Sequence, residues 1–304
     1  MSVQLSMSVD EAPAVINSLP SAEYEIILTD SSSNVNHLPL HDKSKKIHLD
    51  LGFLDLHFLP ASCFQEALSL VSVDCFGALL QVIGNSSFAY CRNLERIVLP
   101  NSLKVIGDEA FLLCSSLSEI RFEGTKEEWS NIVKGKDWSY GVSALCVQCK
   151  DGDIAVEQLY FNEDNYLDGV HPKITSIALP ASCAGIASGK AMSLENSSVE
   201  EITVAADNEN LVAFDNVLYG KKDKKLIACP PKKRGVLTVP KGYSMGFSEL
   251  YNLDYKTVGV DTCLSLDGIT EIHFEDSRKK VGFPSDIDTI LIRKSYREVP
   301  VSFG

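Results

Sequence analysis

The chain has 304 residues, of which 45% are hydrophobic and 23% charged, a balance typical of globular proteins. Its net charge of -13 argues against general nucleic-acid binding, because an acidic surface repels phosphate backbones. No run of 18 apolar residues occurs, so we expect no membrane-spanning helix. Residues 1–19 lack a basic start and a continuous apolar core, so we expect no secretory signal in the chain as it stands.

Residues 1–44 share no repeated spacing with the rest of the chain. They are rich in Ser, Asn and Pro and contain one β-like run, Tyr24 to Leu28. We interpret them as an N-terminal cap, because the end turns of a repeat structure must cover an exposed apolar edge.

A strand-like alternation of Ile47, Leu49 and Leu51 opens the first repeat block, which we place at residues 45–152. One motif then occurs twice, with each equivalent pair 23 residues apart. The paired positions are Ile83-Gly84, Phe88, Cys91, Leu94, Ile97 and Leu99, then Ile106-Gly107, Phe111, Cys114, Leu117, Ile120 and Phe122. A degenerate copy precedes them at an offset of 24: Phe64, Ala67, Leu70, Val73 and Cys75.

A constant period of this length predicts a solenoid, and the spacing Leu-x-x-Ile-x-Leu is typical of leucine-rich repeats. We therefore predict an α/β solenoid: a right-handed superhelix with a mostly parallel strand ladder, short helices or turns opposite the strands, and irregular caps. Pro100 ends the predicted strand Arg96 to Leu99, because Pro cannot donate to a ladder.

The segment 123–133 interrupts the repeat and predicts a short helix. Thr125 and Glu128 have capping-box spacing, and Trp129, Ile132 and Val133 recur at helical intervals. We expect this helix to pack Trp129 on the solenoid and to close the first block, with a final strand over residues 145–149.

The second block, residues 153–304, repeats the pattern in degraded form. Ile177, Leu179 and Ile186 match first-block positions 80 residues earlier, and Val199, Ile202 and Val204 match positions 82 residues earlier. Residues 217–219 and 226–229 flank a polar turn and predict a hairpin. We expect the last strand to contain Ile290 and Ile292.

These motifs resemble the BspA-like, or Treponema pallidum-type, leucine-rich repeat family. The strongest likeness lies at residues 83–122, and residues 123–129 (Glu-Gly-Thr-Lys-Glu-Glu-Trp) resemble the family's recurring Gly-Thr-x-x-x-Trp helix. Residues 215–219 (Asp-Asn-Val-Leu-Tyr) resemble its Asp-Gly-Val-Leu-Tyr hairpin, with Asn216 in place of Gly. The resemblance implies a cell-surface or secreted protein associated with adhesion, without catalytic residues or cofactors.

The cysteines and histidines do not form a recognisable reactive or metal-binding motif. Cys146 and Cys149 have C-x-x-C spacing, but no second pair exists to complete a zinc site. Cys91 and Cys114 fall on adjacent turns, at a separation that would permit a disulfide in an oxidising compartment. None of the six histidines has metal-ligand spacing on a plausible helix.

Seven basic residues fall between Lys221 and Arg234 in an otherwise acidic chain. Two interpretations are open. The basic residues have a function, either as a patch for an acidic partner or as a basic targeting signal, or they form a solvated hairpin tip without a binding role.

Strand alternation predicts a binding face. Because Ile97 and Leu99 point inward, their neighbours point outward, and stacking aligns the outward positions of successive turns. The predicted ligand-binding residues are Arg96, Val98, Glu119, Arg121, Glu123, Glu201, Thr203, Glu271, His273 and Glu275.

We therefore predict a non-enzymatic, adhesin-like module that binds a protein or glycan ligand through this face, with no metal, cofactor or nucleic acid. The alternative is a structural spacer that self-assembles at the cell surface. A third hypothesis, an enzyme acting on glycans, requires a deep pocket with convergent carboxylates.

Overall fold

The computed structural model describes residues 2–29, 35, 38–187, 197–245, 257–260, 266, 268–280, 282–283, 288–292 and 297–304. The chain divides into two compact units, Met1–Gln158 and Leu159–Gly304. The buried apolar residues form one cluster in the first unit and two in the second. No helix of the described residues is long and apolar enough to cross a membrane.

The first unit is a β-solenoid with little helix. Its elements in chain order are β1 (Val3–Met7), α1 (Ala12–Ser18), β2 (Glu23–Leu28), β3 (Lys46–Asp50), β4 (Phe58–Leu59), β5 (Leu70–Asp74), β6 (Val82–Ile83), β7 (Arg96–Leu99), β8 (Val105–Ile106), β9 (Glu119–Phe122), α2 (Lys126–Asn131), β10 (Val133–Lys134), β11 (Cys146–Cys149) and β12 (Gly152–Ala155).

Eight of these strands form the front sheet, in the order β1-β2-β3-β5-β7-β9-β11-β12. All neighbours are parallel except β11 and β12, which form an antiparallel pair across the expected block boundary at residues 152 and 153. A second, parallel sheet of two-residue strands, β10-β8-β6-β4, forms the back. The mostly parallel ladder expected from the repeat is therefore present, and β1 and β2 of the predicted cap belong to it.

Turns, and not helices, connect the back strands to the front strands of the repeats. In the turn at residues 86–90, Ser86, Phe88 and Tyr90 donate their backbone N–H groups to carbonyls of the following turn, at 2.7–2.8 Å. An α-helix would need these N–H groups for bonds within its own segment. Bonding between turns therefore replaces helix formation.

The repeated Phe and Cys residues form a buried ladder inside the first unit. The Phe88 ring stacks on those of Phe64 and Phe111, with centroids 5.2 Å apart in both pairs. Cys91 and Cys114 are free thiols, and each Sγ donates to a carbonyl of the preceding turn, at 2.9 and 3.0 Å. The structure thus gives both cysteines a packing role without the disulfide that their spacing permits.

The glycine of each Ile-Gly pair marks a close approach between turns. A Cβ on Gly107 would lie 2.6 Å from the backbone nitrogen of Asn85 and 2.7 Å from the carbonyl carbon of Gly84. On the next turn, a Cβ on Gly135 would approach the backbone of Gly107 just as closely. Only glycine lets the backbones stack at this spacing.

The predicted capping helix is α2. Thr125 Oγ1 accepts from the Glu128 N–H at 3.2 Å, and Glu128 Oε2 accepts from the Thr125 N–H at 2.7 Å. The buried Trp129 ring contacts those of Phe122 and Trp138, with centroids 5.3 and 5.8 Å apart. The capping box and the packed tryptophan agree with the expectation from sequence.

The described residues of the second unit form four smaller sheets. Its strands are β13 (Leu159–Phe161), β14 (Tyr166–Val170), β15 (Ser176–Leu179), β16 (Gly185–Ile186), β17 (Glu201–Val204), β18 (Leu211–Phe214), β19 (Val217–Gly220), β20 (Leu226–Ala228), β21 (Gly235–Val239), β22 (Thr257–Val260), β23 (Ile269–Phe274), β24 (Thr289–Ile292) and β25 (Arg297–Phe303). The sheets are β13-β14-β16, β15-β17, β18-β19-β20 and β21-β23-β25-β24-β22.

The expected hairpin is the antiparallel pair of β19 and β20. The expectation that Ile290 and Ile292 lie in the last strand is wrong. They lie in β24, and β25 follows it, antiparallel to β24 and parallel to β23. Pro300, the strand-breaking residue that hides this strand in the sequence, lies within β25.

Candidate binding face

Two outward columns of side chains run across the front sheet of the first unit, and together they define the front face. The register aligns one column across β2, β3, β5, β7 and β9: Glu25, His48, Ser72, Arg96 and Glu119. It aligns the second across β3, β5, β7, β9 and β11: Asp50, Asp74, Val98, Arg121 and Gln148.

One half of the front face is acidic. A shallow depression of about 320 Å³, which we call the acidic depression, is lined by Ser2, Glu23, Glu25, His48, Leu49, Asp50, Ser72, Asp74 and Arg96. His48 is one of the lining residues. Its Nδ1 lies 2.8 Å from Ser72 Oγ, and its Nε2 lies 3.0 Å from Glu23 Oε1. The depression therefore presents several carboxylates around one oriented imidazole.

Burial raises the pKa of the Asp50 carboxyl, and the negative charges of Asp74 and Glu25 raise it further. A hydrogen bond from the Gly52 N–H to Asp50 Oδ1, 2.8 Å long, opposes this rise. Asp74 accepts the same kind of bond from the Phe76 N–H at 2.8 Å. Backbone donors thus orient both carboxylates but leave their mutual repulsion in place.

The other half of the front face combines arginines with an aromatic ring. A depression of about 380 Å³, the arginine depression, is lined by Asp74, Phe76, Arg96, Val98, Arg121, Phe122, Glu123, Gln148, Cys149 and Lys150. Glu119 Oε1 lies 3.5 Å from Arg96 Nε and 3.1 Å from Arg121 Nε. One carboxylate therefore holds two guanidinium groups side by side, and Arg121 Nε also donates to Gln148 Oε1 at 3.3 Å.

Phe76 is the most exposed aromatic residue of this half, with 68% of its surface accessible. It follows the strand β5, and the next residue, Gly77, donates its N–H to Glu123 Oε2 at 2.9 Å. That bond ties the Phe76 loop to the segment after β9. An exposed ring beside two arginines is a combination typical of protein-binding hot spots.

The structure places the predicted site residues in three separate sheets. Arg96, Val98, Glu119, Arg121 and Glu123 lie on or next to the front sheet of the first unit. The expected exposure of Val98 is wrong, because only 5% of its surface is accessible. It faces outward by register and lines the arginine depression, although it is buried.

The remaining predicted residues lie in the second unit, on two of its sheets. Glu201 and Thr203 are exposed on β17, where Ser176 of β15 donates to Glu201 Oε2 at 3.4 Å. On β23, His273 Nδ1 lies 2.8 Å from Ser302 Oγ, which donates to Glu271 Oε1 at 2.5 Å. Glu275 Oε2 accepts from the Lys241 N–H at 3.0 Å.

Sequence analysis missed Phe76 and the acidic half of the front face. The signal was present, since the offset of 24 that aligns Val73 with Ile97 also aligns Ser72 with Arg96 and Asp74 with Val98. The sequence pattern predicted no role for His48, which is a half-buried strand residue with two side-chain partners. His37, another of the six histidines, lies outside the described residues.

Cys146 and Cys149 are half-buried free thiols on β11, and burial raises the pKa of both. Within the described part of the chain, no three His, Cys, Asp or Glu side chains are arranged to hold a metal ion. The front face thus presents charged groups, hydrogen-bonding groups and the exposed Phe76 ring.

The fold and its front face define a class, the leucine-rich repeat solenoids, in which stacked strands present an extended binding surface. Residues 55–133 match the family described as BspA type leucine-rich repeat region, in six copies. The matched segment lies within the first unit. The search of curated proteins finds no match.

Three solved structures are similar to the chain. They are a leucine-rich repeat protein from Eubacterium ventriosum (20% identity, 77% of this chain and 56% of that chain, TM-score 0.29), the pneumococcal vaccine antigen PcpA (15%, 95% and 62%, 0.27) and a leucine-rich cell surface protein from Faecalibacterium prausnitzii (13%, 95% and 60%, 0.26). The chain thus spans 56–62% of the length of these proteins.

Proposed function

We propose that the protein is a non-enzymatic binding module that recognises another macromolecule, with the arginine depression of the first unit at the centre of its contact surface. The observation that carries this proposal is the exposed Phe76 ring beside Arg96 and Arg121. Aromatic and arginine side chains dominate the binding energy of protein interfaces, where they combine apolar area with directed hydrogen bonds.

The dimensions of the front face favour a macromolecular ligand. Eight strands at about 4.8 Å spacing give a face roughly 34 Å long. Its two depressions of about 320 and 380 Å³ are shallow and lie along this length. A small molecule usually needs an enclosed pocket that covers most of its surface, whereas a protein or glycan chain can lie along an open sheet.

We further propose, from the resemblance stated above, that the protein acts at the cell surface or as a secreted adhesin and that the solenoid is a right-handed superhelix. Protease treatment of intact producing cells tests the location. Loss of the chain under conditions that spare a cytoplasmic marker supports surface exposure, and full protection of the chain contradicts it.

The binding proposal is tested by measuring the affinity of the protein for immobilised fibronectin, fibrinogen and a panel of glycans. The test variant is Phe76→Ala, and the matched control is Phe58→Ala, which removes an exposed ring from β4 in the back sheet. We expect Phe76→Ala to weaken binding about tenfold or more. The control should bind like the unmodified protein.

Equal binding by the unmodified protein and Phe76→Ala contradicts the assignment of the arginine depression. Turnover of a substrate that is lost on substitution of a single residue contradicts the non-enzymatic role. The residues Glu201, Thr203, Glu271, His273 and Glu275 remain candidates for a second contact surface, and His273→Ala is the variant that tests it.

A further inference from the structure

The second unit carries a basic hairpin tip whose charge is opposite to that of the acidic depression. The turn between β19 and β20 has the sequence Lys221-Lys222-Asp223-Lys224-Lys225, with four lysines, one aspartate and therefore a net charge of +3. Lys222, Lys224 and Lys225 are exposed. Such a concentration of positive charge is unusual in a chain with a net charge of -13.

The tip has a defined shape. The Gly220 N–H donates to the Lys225 carbonyl at 2.9 Å, and the Lys225 N–H donates to Asp223 Oδ1 at 3.2 Å. Lys224 Nζ lies 3.2 Å from the Tyr243 hydroxyl and 4.8 Å from the centre of that ring. The turn is thus pre-organised, which lowers the entropy lost when its lysines are held by a partner.

The acidic depression has the charge to receive this tip. Glu23, Glu25, Asp50 and Asp74 contribute four negative charges and Arg96 one positive charge, a net of -3 with His48 neutral. Glu23 contacts His48, but Glu25, Asp50 and Asp74 take part in none of the salt bridges found between described residues. Within the described part of the chain, these three carboxylates therefore line the depression without forming a salt bridge.

We propose that the acidic depression of one copy of the chain docks the basic hairpin tip, Lys221–Lys225, of a second copy. The charge complementarity of the two surfaces, -3 against +3, is the argument for a second copy as the occupant. Lysine fits this role because its ammonium is a compact charge on a flexible stem that several carboxylates can surround. The contact joins different surfaces of the two copies, so repeating it builds open head-to-tail chains unless the rotation closes a ring.

This inference is independent of the ligand proposed for the arginine depression. It gives a structural basis for self-assembly by a surface protein. Each exposed ion pair contributes little to the free energy of association, and at 0.15 M salt charges are screened beyond about 8 Å. The association should therefore be weak, dependent on concentration and strongest at low salt.

Two variants separate the two surfaces. The face variant, Glu25→Gln with Asp50→Asn and Asp74→Asn, removes three charges but keeps side-chain oxygens that accept the Gly52 and Phe76 N–H groups. The tip variant combines Lys222→Gln with Lys225→Gln. Matched controls remove the same number of charges elsewhere: Glu66→Gln, Glu109→Gln and Glu127→Gln for the face, and Lys232→Gln with Lys241→Gln for the tip.

Sedimentation velocity of the full chain, over a range of protein concentrations at low salt, is the measurement. We expect the average mass of the unmodified protein and both controls to rise with concentration and to fall back to one chain at high salt. The face and tip variants should each remain single chains. Their mixture should form a 1:1 complex, because the tip variant still has an intact face and the face variant an intact tip.

Single chains of the unmodified protein at every concentration would falsify the proposal. Self-association of either variant at the unmodified level also overturns it, as does a mixture of the two variants that forms no complex. Binding of the acidic depression to added polylysine without any self-association overturns the second copy as occupant and identifies a basic partner of another kind. The binding test with Phe76→Ala is unaffected by any of these results.

Discussion

At the scale of single residues, the interior of the first unit depends on the ring ladder that the repeat creates. Phe88 lies between Phe64 and Phe111, with 0% of its surface accessible and a ring on each side. Stacking of identical residues on successive turns explains why the motif repeats Phe at this position. The phenylalanine of each repeat therefore packs against the equivalent ring of a neighbouring turn.

We expect Phe88→Ala to lower the free energy of unfolding of the first unit by about 3–5 kcal/mol, because it removes a fully buried ring and leaves a cavity between two others. Both tryptophans of the chain, Trp129 and Trp138, are buried in this unit, so their fluorescence during urea unfolding reports on it. The control is Phe58→Ala on the surface, for which the change should be small. A loss no larger than that of the control contradicts the ladder.

A second prediction concerns Asp50. Its raised pKa determines whether the ionised carboxylate stabilises or destabilises the fold. The folded protein holds the Asp50 proton more tightly than the unfolded chain, so the ionised carboxylate destabilises the fold at neutral pH. We expect Asp50→Asn to stabilise the first unit at pH 7 relative to the unmodified protein. The advantage should shrink as the pH falls through the raised pKa and vanish below the ordinary value of 3.8.

Tryptophan fluorescence during urea unfolding at several pH values measures this difference. Asp108→Asn is the control for loss of a charged acceptor, because Asp108 Oδ1 also accepts a backbone N–H, from Lys136 at 2.8 Å. An Asp50→Asn advantage that grows as the pH falls has the wrong sign and contradicts the assignment.

At the scale of elements, the spacing of turns is set by backbone contact at the Ile-Gly pairs. Gly107→Ala places a Cβ within 2.7 Å of backbone atoms of Gly84 and Asn85, which cannot move without disturbing the turn before. We expect a loss of about 1–3 kcal/mol in the unfolding free energy of the first unit, measured by tryptophan fluorescence in urea. An unchanged midpoint would show that the turns do not stack this closely.

The clean repeats, the capping box of α2 and the hairpin of β19 and β20 could be predicted from sequence because core positions and turn residues constrain residue type. The inclusion of β1 and β2 in the front sheet could not. These strands join through backbone hydrogen bonds and the alternation of Tyr24, Ile26 and Leu28, without the Phe and Cys turn that marks a repeat. The presence of turns in place of helices could not be predicted for a similar reason. Backbone hydrogen bonds between successive turns produce no recurring spacing of residue types in the sequence.

The candidate site was only partly predictable, because outward strand positions are free of packing constraints. Arg96, Glu119 and Arg121 were found by alternation from a recognised core. Phe76 was missed since it follows the end of β5, where alternation stops, and Val98 was misjudged because register alone does not report what covers a residue. The acidic half could be recognised only from the register between residues that lie 23 or 24 positions apart in sequence, and a degenerate repeat conceals that register.

At the scale of the whole molecule, the chain joins a regular first unit, which contains the BspA-type repeat region, to a second unit of smaller sheets. The charge is unevenly distributed, with an acidic depression on the first unit and a lysine-rich tip on the second. We infer that the arginine depression serves recognition and that the acidic depression and the lysine-rich tip serve assembly. We therefore expect the arginine half of the front face to contact the ligand.

Site-specific photo-crosslinking to immobilised fibronectin, fibrinogen and glycoprotein ligands tests directly whether the front face contacts a ligand. A photoreactive residue replaces Arg121 on the front face or, in the control, Lys104, which is exposed beside β8 at the back. We expect covalent complexes from position 121 and few or none from position 104. Equal yields from both positions, or no complex with any of these ligands, would contradict it.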